Sequence, residues 1–349
     1  MKQPPEIKNI YRAEEGYRKL AERLSQYSKV AILVDEHTGE LCLPRLRDKL
    51  SGLVDAQVVW IPAGEGSKSL LRLKWVLRQL WQEELDRQAL LINLGGGVVS
   101  DLGGFVAGIY KRGIDFINIP TSLLAMADAS SGGKTGINFQ GAKNQLGLFL
   151  EPQMVLIDTA YLETLPPEHL RAGKAEMIKH GLIADAAHYR ELVAAGLSVL
   201  PSEATIMRSI AIKANIVAED PREEGRRKLL NFGHTLGHAL ESLAAAQKVS
   251  LSHGEAVGLG MLGELTLSIL HCDFPENRAK VILVELRARY SAAKLTYDEK
   301  ALTKFLISDK KNQRGELRFS LLKDIGSAEY DVALPLTQAL SVLKDLWRG

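Results

Sequence analysis

The residues best suited to chemistry in this chain are histidines. In Asn231-Phe-Gly-His234-Thr-Leu-Gly-His238-Ala-Leu-Glu241 two imidazoles stand four residues apart, on one face of a helix. Neutral imidazoles so spaced can share a zinc ion, as in the helical histidine pairs of metalloproteases. No glutamate directly follows His234, so the hydrolytic version of that motif lacks its general base. A third histidine, His253, stands in Ser-His-Gly-Glu-Ala at an expected helix start. Glu176, in Lys174-Ala-Glu-Met-Ile-Lys179-His180-Gly, offers a carboxylate, with Lys179 and His180 on the same helical face. A lone histidine ordinarily caps or packs, yet half of the chain's 8 histidines fall among these candidates, which argues against coincidence. There are more candidates than one tetrahedral site can use. Spacing leaves open whether His234 pairs with His238 or with His253, and whether His180 takes part.

A second signal is Leu91-Ile-Asn-Leu-Gly95-Gly96-Gly97-Val-Val-Ser100-Asp101, a strand, a glycine turn and a helix start. That layout lets backbone N–H groups approach a diphosphate at a helix N-terminus. It departs from the ordinary dinucleotide fingerprint, since Ser100 holds the third glycine position and the loop follows the third predicted strand rather than the first. For a ribose, Asp35 is better placed than Asp115, because Asp35 follows its strand and Asp115 precedes its own. Gly132-Gly133-Lys134-Thr135 looks like the end of a phosphate loop, but Asp128 replaces the leading glycine, which argues against Walker-type binding. Lys134, Lys143, Lys179, Lys213, Arg227 and the pair Lys310-Lys311 are cations set among small or polar residues. If they converge, the site takes a multiply anionic substrate such as a phosphorylated sugar acid.

The elements that must position these residues change character midway. Apolar runs at Val30 to Val34, Val58 to Ile61, Leu90 to Asn93, Phe116 to Ile119 and Val155 to Asp158 alternate with helix-like spacing at Gly16 to Tyr27, Leu70 to Glu84 and Val98 to Tyr110. This predicts a mostly parallel α/β sheet. From His169 to about Leu286 the pattern is helical without a convincing strand. Leu317 to Leu322 reads as a short strand or hairpin, and Leu336 to Trp347 as a closing amphipathic helix. We therefore expect a nucleotide domain over 1–165 and a helical domain over 166–349.

Composition narrows the function classes. The chain has 349 residues, 46% of them apolar, enough for two cores. Its 44 basic and 42 acidic residues nearly cancel, which argues against nucleic-acid and membrane-surface partners. Two cysteines, Cys42 and Cys272, are too few for a disulfide framework, which fits a reducing compartment. No signal peptide or membrane span is expected, and the cytoplasm is the expected location.

Taken in order, the glycine loop, Ser-Ser-Gly-Gly-Lys-Thr, Lys143-Asn144, Ala-Glu-Met-Ile-Lys, Asn-Phe-Gly-His-Thr-Leu-Gly-His and Ser-His-Gly-Glu-Ala resemble the 3-dehydroquinate synthases, from about Asp35 to Lys311. Their joint order is far more specific than any one motif. Glycerol dehydrogenase-like alcohol dehydrogenases share only the nucleotide loop and parts of the histidine region. The resemblance implies a Rossmann-like NAD domain, then a mainly helical metal- and substrate-binding domain, in a homodimer. It implies conversion of 3-deoxy-D-arabino-heptulosonate 7-phosphate to 3-dehydroquinate and phosphate, a lyase step of the shikimate pathway toward aromatic amino acids. The course would be transient oxidation by NAD, phosphate elimination, re-reduction and aldol closure.

The same resemblance assigns residues. It puts a divalent metal, zinc or alternatively cobalt, on Glu176, His234 and His253, and turns His238 to the substrate phosphate. His180 stands where tyrosine is more usual. Matching nucleotide positions are Asp35, Glu65, Lys68, Gly96, Gly97, Val98, Asp101, Thr121, Ser122, Lys143 and Thr164, with Ser122 in place of a usual threonine. Lys134, Asn144, Lys179 and His238 correspond to phosphate and hydroxyl contacts, and Lys213 with Arg227 to a carboxylate clamp. Asn231, Asp128 and Lys311 match further polar positions, and Arg112 is implied to be lent across the dimer. The block Asp128-Ala-Ser-Ser-Gly-Gly and the loop Ala244 to Leu251 depart from the family pattern.

Overall fold

A computed structural model describes residues 9–140, 142–196, 199–292, 294–307 and 316–347. The chain divides into two compact units, Met1–Pro166 and Pro167–Gly349.

The N-terminal unit runs β1 (Ile10–Arg12), α1 (Ala13–Leu24), β2 (Val30–Asp35), α2 (Glu36–Leu41), α3 (Leu43–Lys49), β3 (Gln57–Ile61), α4 (Leu70–Gln82), β4 (Leu90–Gly95), α5 (Gly97–Ile109) and β5 (Asp115–Pro120). It continues through β6 (Lys134–Phe139), β7 (Ala142–Phe149) and β8 (Met154–Ile157). Among the described residues, six strands form one sheet in the order β1-β8-β5-β4-β2-β3, every neighbouring pair parallel. Helix connections and near-continuous apolar strands explain the parallel arrangement. β4 is buried along its whole length, and with Val76 and Leu80 of α4 and Val99, Leu102 and Val106 of α5 it fills one side of the core. Gly103 lets α5 settle onto β4, since a Cβ there would fall 1.8 Å from Asn93 Oδ1.

Chain order reverses once in this sheet. β3 is added on one side of β2, and β4 then returns to the other side. The order β3-β2-β4-β5-β8 is thus that of a flavodoxin-like doubly wound sheet, with β1 added at the far edge. The crevice at the carboxyl ends of β2 and β4 is where such sheets bind ligands. The glycine loop follows β4, the fourth strand rather than the third, because the short β1 precedes the runs legible in the sequence. Its place beside β2 at the reversal removes the objection that it does not follow the first strand. Four elements escaped the periodicity: β1, the short helices α2 and α3, and the antiparallel hairpin β6–β7. β7 is almost wholly exposed, so no alternation marks it. Lys134 opens a strand rather than a helix, which rules out phosphate-loop geometry there.

The C-terminal unit runs α6 (Pro167–Ala184), α7 (Ala186–Ala195), α8 (Glu203–Glu219), α9 (His234–Ala246), α10 (His253–His271), α11 (Glu276–Arg287) and α12 (Glu299–Ile307). The antiparallel hairpin β9 (Leu317–Asp324) and β10 (Ser327–Leu334) follows, then α13 (Leu336–Asp345). The core of this unit depends on backbones that nearly touch. A Cβ on Gly260 of α10 would meet the Gly233 carbonyl at 1.9 Å, and one on Gly254 the Ala172 carbonyl of α6 at 2.2 Å. Any side chain there would hold the helices apart. α6, α9 and α10 therefore meet with no side-chain layer between them at these points.

Candidate functional site

In the N-terminal unit, Asp35 ends β2. Its Oδ1 accepts from Thr38 N–H at 2.8 Å while its own N–H donates to Thr38 Oγ1 at 3.0 Å, a capping box that fixes the start of α2. Asp115, at the opposite end of its strand, accepts from Tyr27 and Gln153 instead. Gly96 N-caps α5 without a side-chain cap, so the first-turn amides, including that of Val98, are presented to an anion. Thr121 and Ser122 close over this turn: Thr121 N–H donates to Gly95 O at 3.0 Å, and Ser122 Oγ lies 3.4 Å from where a Gly96 Cβ would stand. A Cβ on Gly97 would meet Ala129 at 3.2 Å, a tight fit, whereas one on Gly96 would make only ordinary contact. Beside them burial pushes the Cys42 thiol up to about 11, leaving it an unreactive core group.

Lys68 gathers the other polar residues expected at the nucleotide. Its buried ammonium lies 2.6 Å from Asp101 Oδ2, 2.5 Å from Asn144 Oδ1 and 3.7 Å from Glu65 Oε1. Burial opposes its charge, but Asp101 and Glu65 outweigh that and hold its pKa above the ordinary value. Asn144, matched above to a substrate position, is here joined to the Lys68 cluster. Asn138 carried no expectation, yet its Nδ2 donates to Glu65 at 2.8 Å, its Oδ1 accepts from Asn144 N–H at 2.9 Å, and its N–H donates to Lys68 O at 2.8 Å. Nothing in residue type or spacing points to it, since the hairpin that carries it was not legible. Lys143 and Lys134 are exposed on the same hairpin. Thr164 lies in the turn after β8, two strands from the glycine loop, its hydroxyl on Tyr161 O. Asp128 sits in a π-helical turn, Ala125–Ala129. The next residue but one is anchored by Asn118 Nδ2 donating to Ser130 O at 3.0 Å, with Asn93 Nδ2 bonded to Asn118 in turn. Arg112 is exposed with φ 71°, a left-handed conformation uncommon for residues other than glycine.

In the C-terminal unit the close helix contacts bring Glu176, His234 and His253 together, with ligand atoms all within 4.8 Å of one another. Glu176 Oε1 lies 3.4 Å from His234 Nε2 and 3.5 Å from His253 Nε2. Zinc bonds of 2.0–2.1 Å at a tetrahedral angle give edges of about 3.3 Å, so the spacing fits such an ion. The far ring nitrogens are also oriented: His234 Nδ1 is 3.3 Å from Phe232 O, and His253 Nδ1 is 3.5 Å from Glu241. Nδ1 protons held this way leave Nε2 lone pairs for a metal. Glu241 closes the histidine segment that begins at Asn231. Its one-turn offset from His238 was the available signal.

Electrostatics support a positive centre. Burial, then the Lys179 charge, hold His234 well below the usual histidine range. Burial also opposes a charge on His253, but hydrogen bonds to Glu176 and Glu241 carry it up to about 10. Positive charge is thus favoured between those carboxylates, where a divalent cation would take the place of the proton. Lys179, 1% exposed, stands 2.5 Å from Glu176 Oε2. His238 is in the same cluster, its ring centroid 5.4 Å from that of His234 and 6.0 Å from that of His253. His180 also offers a ligand atom within 4.8 Å of one on Glu176, and its Nδ1 meets Ser209 Oγ at 2.8 Å. Lys213 on α8 and Arg227 are both buried. Arg227 is held by Pro221 O through its guanidinium, at 2.6 Å, and by Asp220 through its backbone N–H. Asn231 Nδ2 donates to Glu223 at 2.6 Å. Lys310 and Lys311 lie outside the described residues.

Residues 58–172 match the family model for the 3-dehydroquinate synthase N-terminal region, and residues 173–312 that for the C-terminal region. A 3-dehydroquinate synthase of Parabacteroides distasonis is 39% identical over 327 residues, covering 93% of this chain and 92% of the relative. One from Methylacidiphilum infernorum is 43% identical over 311 residues, covering 88% and 85%. Among solved structures, 2-epi-5-epi-valiolone synthase from Streptomyces hygroscopicus, with NAD+ and Zn2+ bound, superposes with TM-score 0.85 at 25% identity, covering 100% of this chain and 99% of that one. A 2-deoxy-scyllo-inosose synthase has the same TM-score at 22% identity, covering 96% of each chain. An iron-containing alcohol dehydrogenase from Thermococcus thioreducens reaches 0.70 at 17%, covering 98% and 99%. The last two likenesses establish the fold, a parallel α/β region followed by a helical one.

Proposed function

Because the chain belongs to the 3-dehydroquinate synthase family, we propose that it is a phosphate-eliminating carbon–oxygen lyase that converts 3-deoxy-D-arabino-heptulosonate 7-phosphate to 3-dehydroquinate and phosphate. The observation that carries the reading is the meeting of Glu176, His234 and His253 at spacings suited to a divalent metal in a chain matched over both family regions. Relatives at 36–43% identity bear that activity's name, whereas the cyclases with other names stand at 20–25%. This favours the carboxylated substrate over sedoheptulose 7-phosphate or glucose 6-phosphate.

NAD would be held by the N-terminal unit at Asp35, Glu65, Lys68, the Gly96–Gly97 turn, Val98, Asp101, Thr121, Ser122, Lys143 and Thr164, and would supply a reversible hydride acceptor. Glu176, His234 and His253 would hold a metal, zinc or cobalt, which would supply Lewis-acid polarisation of a substrate oxygen. Lys179 keeps the Glu176 carboxylate in one orientation and offers its remaining protons to the substrate. His238 and Lys134 bind the phosphate and stabilise it as charge develops on the departing group. Arg227 and Lys213 clamp the carboxylate by charge-assisted hydrogen bonds. Asn144, Asn231, Asp128 and Lys311 orient hydroxyls. The substrate's own phosphate acts as the base, so no side-chain base is assigned. Arg112 completes the site of a second copy in a cytoplasmic homodimer.

The test is to supply the metal-loaded protein with NAD and each candidate sugar phosphate, following phosphate release and cyclic product. Turnover of the heptulosonate without accumulation of NADH is expected. Turnover of sedoheptulose 7-phosphate but not the heptulosonate would overturn the substrate, and steady NADH accumulation with simple polyols would make it a dehydrogenase.

A further inference from the structure

Helix α9 begins at His234 with Gly233 as its N-cap, in left-handed conformation at φ 80°, and no N-cap side chain satisfies its first turn. Nor could the usual capping residues stand there. A Cβ on Gly233 would lie 2.6 Å from Met261 Cγ and 2.9 Å from the Val257 carbonyl, so Ser, Thr, Asp or Asn at this position would collide with α10. Buried first-turn amides still need acceptors. Glu264, on α10 and 0% exposed, provides them: its Oε2 accepts from Gly233 N–H at 2.6 Å and its Oε1 from Leu236 N–H at 3.1 Å. Its own stretch of α10 is tied down by Ser268, whose Oγ donates to the Glu264 carbonyl at 2.7 Å and accepts from Leu322 N–H of β9 at 3.0 Å.

We infer that Glu264 is a positioning residue for the metal centre, capping α9 from a neighbouring helix and so fixing the height and rotation at which His234 and His238 are presented. A cap within α9's own segment would move with α9. A cap on α10 locks α9 to the helix that opens with His253, so the two imidazoles are referenced to one another. Two charge-assisted hydrogen bonds hold the register more tightly than neutral ones, and an anion at a helix N-terminus is attracted to the positive end of the dipole. Metal geometry tolerates errors of only about 0.2 Å, whereas a slip of one residue moves a helix by about 1.5 Å along its axis.

This inference rests on the proposed metal site, and the experiment separates the two. Wild type, His234→Ala, Glu264→Gln and Glu264→Leu are compared for zinc affinity by chelator competition, for the visible spectrum of the cobalt-loaded protein, and for NAD affinity. Gln keeps the shape and one acceptor, but turns an N–H toward a backbone N–H. Glu264→Gln should weaken zinc binding about 10-fold and Glu264→Leu about 100-fold, the span found for residues that orient metal ligands. The cobalt bands should change, and NAD affinity should not. Glu264 variants that bind zinc as wild type does, with an unaltered cobalt spectrum, would overturn the inference whatever their melting temperatures. A wild type that binds no metal, or a His234→Ala protein that binds it equally well, would instead sink the metal reading beneath it.

Discussion

Replacing Gly260 by alanine tests whether the metal geometry depends on the bare backbone contact between α9 and α10. The added Cβ would stand 1.9 Å from the Gly233 carbonyl oxygen and 2.7 Å from the Gly237 nitrogen. Neither neighbour is a side chain that could rotate away. An ordinary carbon–oxygen contact needs about 3.3 Å, so the helices must part by about 1.4 Å at a point next to His234. Overpacking of this kind costs about 1–3 kcal/mol, and here the upper end applies because only backbone can move. The displacement is several times the roughly 0.2 Å that a metal site tolerates. Denaturant unfolding should therefore show a loss of about 3 kcal/mol, and chelator competition a drop in zinc affinity of at least about tenfold, with NAD affinity unchanged. Gly263→Ala is the control, since its Cβ would meet the movable Leu236 Cδ1 at 2.5 Å and should cost less. A Gly260→Ala protein with wild-type stability and zinc affinity would refute the reasoning.

Three further outcomes are expected. His188 is fully buried, and burial first, then the nearby His180 and Arg208 charges, lower it from 6.5 to about 4; the unfolded chain takes up the proton first, so the stability this group contributes is complete above pH 6.5 and declines as pH falls toward 4. The sum is about 3 kcal/mol, and equilibrium unfolding across that window should show a shallower slope in His188→Leu. Lys68→Met removes the cation between Asp101 and Glu65, which should cost about 2–3 kcal/mol in unfolding and weaken NAD binding in a fluorescence titration by at least about tenfold, while zinc affinity stays the same. Arg227→Leu leaves the Pro221 carbonyl without the guanidinium that now serves it, a loss of about 1–3 kcal/mol. Steady-state kinetics should show KM for the heptulosonate rising far more than any change with a carboxylate-free sugar phosphate.

The sequence reveals elements where burial is one-sided or complete, and hides them where it is neither. β2, β4, β5 and β8 show as apolar runs because they are buried along nearly their whole length, and edge strand β3 shows as one although Trp60 is exposed. β1 is three residues long, and β7 faces outward along nearly its whole length, so neither leaves a pattern. The hairpin's invisibility also concealed Asn138, whose contribution lies in three hydrogen bonds rather than in any reactive group. The glycine loop presents a different limit. Its residue types announce an anion site, but its distance from the first strand counts against a dinucleotide fold until strand order is known, and chain order does not give strand order.

The histidines mark the deepest limit of this kind. A period of 3.6 rightly puts His234 and His238 on one face, and their rings are indeed neighbours, 5.4 Å apart. Sharing a face does not decide which ring nitrogens meet a carboxylate. That depends on how far apart three helices lie, and the distance is set at Gly233, Gly254 and Gly260, where side chains are missing. Glycines inside helices read as weaknesses from propensity alone. In α10 they are the means by which His234 and His253 both come within 3.5 Å of Glu176. The helical propensity lost at these glycines is offset by packing without a side-chain layer, which makes the geometry of the donors and the stability of this unit depend on the same contacts.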